Sequence, residues 1–97
     1  MTIEKTVTGN TVELKIAGWL DTKTAPELET ALNALEPGVN TLVLDMAQLE
    51  YISSAGLRQV VAAYKKMQGM LTLRHVSDEI KNVLRMTGLE KRLKIED

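Results

Sequence analysis

The sequence has 97 residues, of which 44% are hydrophobic, and its 12 Lys and Arg against 13 Asp and Glu give a formal net charge of -1. This length predicts a single domain over residues 1–97, and the balanced charge speaks against nucleic-acid binding, which usually needs a basic surplus. The absence of Cys excludes thiol chemistry and zinc–thiolate sites, and no apolar run approaches the roughly 20 residues that span a bilayer.

The chain offers few residues for catalysis. His75 is the only His, so a two-His metal site is excluded and a Ser–His triad could form only around it. Neither a Walker motif nor a Gly-x-Gly-x-x-Gly segment is present. We therefore predict a binding or switching module that is not an enzyme and uses no cofactor or metal. The N-terminal segment lacks the apolar core of a signal peptide, which favours a cytoplasmic location without direct membrane contact.

Two strands are predicted at the start of the chain. Over residues 11–17, apolar and polar side chains alternate with the period of a half-buried strand. Residues 3–7 precede it across a Gly9-Asn10 turn signal, so the two strands should form a hairpin. If the alternation continues, Trp19 points away from the core. The alternative is that the strand bends at Gly18 and Trp19 covers the edge of the core.

A first helix is predicted from an apolar face with the spacing i, i+3, i+4 and i+7: Leu28, Ala31, Leu32 and Leu35. Thr24 and Glu27 fit a capping box with Pro26 in the first turn, and a Pro-Gly pair ends the helix. The run at residues 41–44 then suits a strand that is covered on both faces.

A second helix is predicted from its buried stripe: Leu57, Val60, Val61, Tyr64 and Met67. Ser53 or Ser54 is its natural N-cap, and Gly69 ends it. A short strand at residues 71–74 precedes a third helix, which Ser77 caps, and a last short strand lies near the C-terminus.

The predicted order is β-β-α-β-α-β-α-β, an α/β fold with a mixed sheet of about five strands and helices packed on it. In such folds the loops between strand ends and helix starts carry the functional sites. The loops of interest are residues 18–24 and residues 46–56.

Residues 51–58 place two hydroxyls at a predicted helix start. The first turn of a helix presents unpaired N–H groups and a partial positive charge, so it would accept an added phosphoryl group. A partner docked over the same loop would have to desolvate the new dianion, which is the physics of a binding switch. The alternative is that a Ser before a helix acts only as a cap.

The segment from Ile52 to Arg58 reads Ile-Ser-Ser-Ala-Gly-Leu-Arg. It resembles the phosphorylation loop of STAS domains of the anti-sigma factor antagonist type. Residues 18–28 resemble the family's Gly-x-Leu-Asp and Ala-Pro-x-Leu segment, and residues 87–89 resemble its Thr-Gly-Leu ending of the third helix. The resemblance covers nearly the whole chain in order and implies the STAS fold.

The resemblance implies that Ser54 is phosphorylated by an anti-sigma factor that is also a serine kinase. The unphosphorylated form would bind that kinase and free the sigma factor, and a metal-dependent serine phosphatase would reverse the mark. Asp21 would lie near Ser54. The predicted partner-binding surface comprises nine residues: Trp19, Asp21, Thr22, Ser53, Ser54, Ala55, Gly56, Leu57 and Arg58. Trp19 is included because an outward Trp beside a candidate site suits a partner contact.

Three positions leave alternatives open. Ser53 stands where the family has an Asp, so it is a possible second acceptor. Arg58 stands where the signature has a Gly, and its charge would pair with a phosphate on Ser54 or be merely solvated. Asp21 would position the Ser54 hydroxyl for the kinase, or else cap the first helix or form an Asx-turn.

Two other functions remain open, one from the resemblance to STAS domains and one from the capacity of a helix N-terminus to bind phosphate. One is a STAS subunit that docks on the ATPase of a lipid-transport ABC complex, where Ser54 need not be phosphorylated. The other is a small nucleotide-binding domain with a phosphate at the helix start, against which the missing Gly-rich loop and P-loop Lys argue.

Overall fold

The structure is a computed structural model that describes residues 1–96. Over this range the chain forms five strands and three α-helices in the predicted order, which confirms the α/β class. A 3-10 turn, Leu89–Lys91, lies before the last strand. The elements are β1 (Thr2–Thr8), β2 (Thr11–Leu20), α1 (Ala25–Asn33), β3 (Thr41–Ile52), α2 (Ser54–Lys66), β4 (Leu71–Arg74), α3 (Asp78–Met86) and β5 (Lys94–Glu96).

The strands form one mixed sheet with the spatial order β1-β2-β3-β4-β5. β1 is antiparallel to β2, as the predicted hairpin requires, and the other neighbours are parallel. Each helical crossover advances to the next strand in the same direction, so right-handed crossovers place all the helices on one face. The core lies between that face and the helices, and several of its strand residues are fully buried: Val12, Leu14, Ile16, Leu42, Leu44 and Leu73.

The other face of the sheet carries no helix within residues 1–96 and is called the open face here. Residues 42–46 of β3 are nevertheless all buried, so the expectation that this strand is covered on both faces is confirmed. Charged residues of alternating sign occupy one register row across this face: Glu4, Lys15, Asp45, Arg74 and Glu96. The Arg74 guanidinium lies 3.1 Å from Glu13 and 3.5 Å from Glu96. These long side chains explain why Val43 and Asp45 are buried although no helix packs on them.

β3 extends well beyond its predicted end. Its register with β2 shifts twice, once between Lys15 and Ala17 and once between Gly18 and Trp19. At each shift β3 contributes one more residue than β2, which is the pattern of a β-bulge. The buried apolar residues in this part of β3 are therefore three positions apart: Met46, Leu49 and Ile52. This spacing lacks the strand period, so the sequence predicted a loop over residues 46–56.

α2 packs on the sheet along a different line from the predicted stripe. The line passes through two small residues, Gly56 and Ala63, which allow the helix to approach closely. The buried positions are Gly56, Val60 and Ala63, with Met67 at the C-cap. The remaining members of the predicted stripe are only half-buried at the edge of the core: Leu57, Val61 and Tyr64.

Candidate functional site

The first turn of α2 is fixed to the end of β2. The Ser53 backbone N–H donates to the Leu20 carbonyl at 2.9 Å. Ser53 is the N-cap, with extended backbone angles, and its hydroxyl oxygen accepts a hydrogen bond from the Gly56 N–H at 3.4 Å. The helix start therefore has a defined position at the carboxyl end of the sheet.

Ser54 differs from the other two serines of the chain in its bonding. The Ser53 and Ser77 hydroxyls both cap helices by accepting backbone N–H groups, at 3.4 Å and 3.3 Å. Ser54 is exposed at the first position of α2, and its hydroxyl makes no hydrogen bond to another residue within the described range 1–96. A modifying enzyme can therefore reach Ser54 without breaking a cap.

Gly56 is buried, so it does not contribute to an exposed docking surface as predicted. A Cβ at this position would lie 2.8 Å from Ile52 Cγ1 and 2.8 Å from both Cγ and the carbonyl oxygen of Leu20. Glycine is needed here because the helix start touches β2 and the end of β3 directly. Its neighbours Ala55 and Leu57 are half-buried.

Asp21 holds the turn between β2 and α1. Its Oδ1 accepts the backbone N–H groups of Lys23 at 2.9 Å and Thr24 at 3.1 Å, and its carbonyl accepts the Ala25 N–H at 2.8 Å. The Thr24 hydroxyl donates to the Trp19 carbonyl at 2.7 Å and makes no cap bond to α1, so the predicted capping box is wrong. Of the two roles open for Asp21, the turn-forming one is present in this structure.

Asp21 is ionised at neutral pH. Desolvation acts to raise the pKa of Asp21, but hydrogen bonds from Thr24 and Lys23, together with the Lys23 charge, hold it below its ordinary value. Thr22 is exposed in the same turn. Within residues 1–96 no hydrogen bond joins Asp21 to Ser54; the two loops are linked through the Leu20 carbonyl.

Trp19 and Tyr51 form an exposed aromatic pair near the carboxyl ends of β2 and β3. Their ring centroids are 4.9 Å apart at an interplanar angle of 38°, and the residues are 56% and 44% exposed. Of the two orientations left open for Trp19, the structure has the outward one. Sequence reasoning missed Tyr51 as its partner, because the second β3 bulge sets the two residues opposite each other. Exposed aromatic side chains are typical of protein interfaces.

A groove of about 520 Å³ runs along α2 from Ser54. It lies between α2 and the segment that includes the 3-10 turn, and its lining is Ser54, Leu57, Arg58, Val61, Ala62, Lys65, Thr87 and Leu89. Arg58 is exposed and makes no ion pair within the part of the chain described, so both roles predicted for its charge stay open. The sequence predicted that Leu57 and Val61 belong to the buried stripe of α2. That stripe was too wide, because α2 contacts the sheet along the single line of Gly56, Val60 and Ala63. Leu57 and Val61 therefore line the groove.

The lone His is part of the open sheet face. His75 Nδ1 lies 3.1 Å from Asp45 Oδ1. Burial acts to raise the pKa of Asp45, but the Ala47 N–H, the His75 contact and the Lys15 charge together hold it below its ordinary value.

Two further observations concern ligands and membranes. Among residues 1–96, no group of three or more His, Asp or Glu side chains is placed to hold a metal ion. None of the helices in this range combines the length and apolarity needed to cross a membrane.

The chain is similar to known proteins over nearly its full length. A family model described as "Mlab, STAS domain" matches residues 3–96. The anti-sigma-B factor antagonist of Staphylococcus aureus is 31% identical over 94 residues, which cover 93% of this chain and 87% of that protein. BtrV of Bordetella bronchiseptica, named as a candidate anti-sigma factor antagonist, is 35% identical over 77 residues, 75% of this chain and 66% of that protein.

Solved structures share the fold. An anti-sigma factor antagonist from Mycobacterium paratuberculosis superposes with a TM-score of 0.86 at 24% identity, covering 98% of this chain and 84% of that one. The anti-sigma factor antagonist SpoIIAA in its unphosphorylated form gives a TM-score of 0.73 at 18% identity, with 99% and 88% covered. Its phosphorylated form gives 0.67 at 20% identity, with 97% and 90% covered.

Proposed function

This chain belongs to the STAS domain family, and we propose on that basis that it acts as an anti-sigma factor antagonist. Its unphosphorylated form binds an anti-sigma factor that is also a serine kinase, and this binding releases the sigma factor. Phosphorylation of Ser54 prevents the binding, and a metal-dependent serine phosphatase restores it. The chain is thus a substrate and a ligand in the cytoplasm rather than an enzyme.

The free hydroxyl of Ser54 is the observation that carries this proposal. Ser53 and Ser77 use their hydroxyls to cap helices, whereas Ser54 is exposed and has no hydrogen-bond partner among residues 1–96. Transfer of a phosphoryl group to Ser54 therefore leaves the cap of α2 intact. This contrast favours Ser54 over Ser53 as the acceptor.

The helix start supports a modification that changes binding without unfolding the domain. A phosphoryl group adds roughly -1.5 to -2 charges at neutral pH. Free N–H groups and the helix dipole at the start of α2 stabilise that charge by about 0.3–1 kcal/mol. A docked partner would have to strip water from the same dianion, so the modified chain folds but loses its partner.

Intact-mass spectrometry tests the proposal. The chain is incubated with ATP and a lysate of its source organism, as the wild type and as Ser54→Ala, Ser53→Ala and Ser77→Ala. We expect one added phosphoryl group in all forms except Ser54→Ala. Ser77→Ala is the matched control, because it removes a hydroxyl that caps a different helix.

Each other outcome changes the assignment. An addition that survives in Ser54→Ala and is lost in Ser53→Ala moves the switch to Ser53. If no phosphoryl group is added to any of the four forms, the phosphoswitch is contradicted, and the second candidate function becomes the preferred one.

The second candidate is a STAS subunit that docks constitutively on the ATPase of a lipid-transport ABC complex. Ser53 favours it, because it stands where the resemblance to anti-sigma factor antagonists places an Asp. Copurification separates the two candidates: a small serine kinase supports the antagonist, and an ATPase subunit supports the transport complex. In the second case Ser54→Ala leaves the interaction unchanged.

A further inference from the structure

The groove along α2 has a cationic rim and an apolar floor. Arg58 and Lys65 line it, and Arg92 lines a smaller adjoining cavity of about 60 Å³ that shares Val61, Lys65 and Leu89 with it. All three cations are exposed, and none makes an ion pair within the described residues 1–96. None of the residues that line the two cavities carries a carboxylate. This cluster occurs in a chain whose net charge is -1.

The floor of the groove is apolar and incompletely covered. Leu57 and Val61 lie one helical turn apart on α2, and Leu89 faces them from the 3-10 turn. All three are half-buried, and Ala62 beside them is exposed. An apolar strip bordered by unpaired cations is complementary to a helix with an apolar stripe and an acidic edge.

We propose that this groove binds an acidic amphipathic helix of the partner protein. The proposal deepens the proposed function and rests on it, because the partner is the protein that the unmodified chain binds. Arg58 and Lys65 are seven residues apart, roughly 10.5 Å along α2. The matching carboxylates on the partner helix therefore lie at i and i+7, with apolar residues at i+3 and i+4 between them.

The same charges explain why a phosphoryl group on Ser54 ends binding. Ser54 lines the same groove and precedes Arg58 by four residues, so the two side chains are neighbours on the helix surface. The phosphoryl oxygens engage Arg58 and repel the carboxylates that would otherwise bind it. Phosphoserine and the acidic helix thus compete for one cation.

A peptide selection tests the groove independently of any kinase. The probe is a phage-displayed library of helix-favouring peptides of about 14 residues, roughly 21 Å long as helices, selected on the full chain. We expect enrichment of peptides with acidic residues at i and i+7 and apolar residues between them. Their affinity should fall about tenfold for Lys65→Glu or Arg58→Glu, since a close charge pair becomes a repulsion.

Lys66→Glu is the matched control. Lys66 is the next residue on the same helix but lines a different cavity, together with Glu29 and Gln59, so its reversal should leave the affinity unchanged. Enrichment of basic or neutral peptides would overturn the proposal. So would failure to enrich any peptide, or binding that tolerates Lys65→Glu as well as Lys66→Glu.

The failure of this proposal can be told apart from failure of the phosphoswitch. If acidic peptides bind the groove but no phosphoryl group is added to Ser54, the proposal of an acidic partner helix is supported and the phosphoswitch is contradicted. If Ser54 is phosphorylated but Lys65→Glu has no effect on peptide binding, the switch stands and the acidic partner helix falls.

Discussion

The two adjacent serines at the start of α2 have the same chemistry but different surroundings. Ser53 accepts the Gly56 N–H, whereas Ser54 is exposed and unbonded within residues 1–96. We expect Ser53→Ala to lower the free energy of unfolding by about 1 kcal/mol, through loss of the cap. Ser54→Ala should change it by less than about 0.5 kcal/mol, as for a typical surface substitution. Urea denaturation measures both, and equal losses would contradict the division of roles.

Whether Gly56→Ala stabilises or destabilises the protein shows how closely α2 packs on the sheet. Alanine is the better helix former, so Gly56→Ala in an exposed helix should stabilise by about 1 kcal/mol. Here the added Cβ would meet Ile52 and both side chain and backbone of Leu20 at 2.8 Å. We expect destabilisation by about 2 kcal/mol, because overpacking forces backbone atoms apart. Thermal and urea unfolding measure the change, and a more stable variant would show that α2 is less closely packed on the sheet.

At the scale of elements, the sequence predicted the strands and helices whose apolar residues recur with a regular period. Strict alternation located β2, and the helical period together with the Ser53-Ser54 pair located the start of α2, although the pattern left open which of the two serines is the cap. The second half of β3 was missed because its two bulges change the spacing of inward residues from two to three. The first bulge is held by a hydrogen bond from the Ala47 N–H to Asp45 Oδ1. That bond depends on tertiary position, so no local pattern reveals it.

The pH dependence of stability should report on Asp45 at this bulge. Because folding lowers its pKa, the stabilisation that Asp45 contributes is present above its unfolded value of about 3.8 and is lost as the pH falls below it. Asp45→Asn retains an oxygen that can accept the Ala47 N–H but removes the charge that faces His75 and Lys15. We expect the variant to be less stable at neutral pH, with the difference from the wild type shrinking below about pH 3.8.

Unfolding curves between neutral and acidic pH check this expectation. Glu50→Gln serves as the control, since it neutralises an exposed carboxylate on the same strand that has no ion pair within residues 1–96. A stability difference between wild type and Asp45→Asn that does not change with pH would contradict a role for the Asp45 charge.

At the scale of the whole molecule, the order of elements brings the candidate site together. β2 and β3 are parallel neighbours, so the loops that follow them meet at one edge of the sheet. The sequence predicted this meeting of residues 18–24 with the start of α2. It did not predict the groove, because that surface depends on how α2 packs against the 3-10 turn. It did not predict Tyr51 beside Trp19, because that pairing depends on a bulge.

Charge at Ser54 should weaken partner binding more than size does. Ser54→Asp supplies part of the charge of a phosphoryl group, and we expect it to reduce affinity for the serine kinase by about tenfold. Ser54→Asn has nearly the same shape without the charge and should bind almost as the wild type does. Ser54→Ala should bind permanently, since it cannot be modified. Calorimetry with the purified kinase measures all three, and equal affinities for the Asp and Asn variants would contradict exclusion by charge.

The single Trp of the chain can show how far a partner extends across the carboxyl edge. Trp19 lies on the open sheet face and α2 on the opposite one, so a partner that touches both must span this edge. Because Trp19 is 56% exposed, we expect acrylamide to quench its fluorescence readily in the free chain. Partner binding should reduce the quenching constant by about half or more, as an interfacial Trp loses contact with water.

A second reporter chain makes this measurement specific to the edge. Val7 is 51% exposed at the turn end of the β1–β2 hairpin, far along β2 from Trp19. In a Trp19→Phe, Val7→Trp chain, partner binding should leave quenching unchanged. Protection of Trp19 alone therefore assigns the aromatic pair to the interface. If the partner binds and neither position is protected, the interface is confined to the face of the sheet that carries α2. The pair formed by Trp19 and Tyr51 is then not part of this interface.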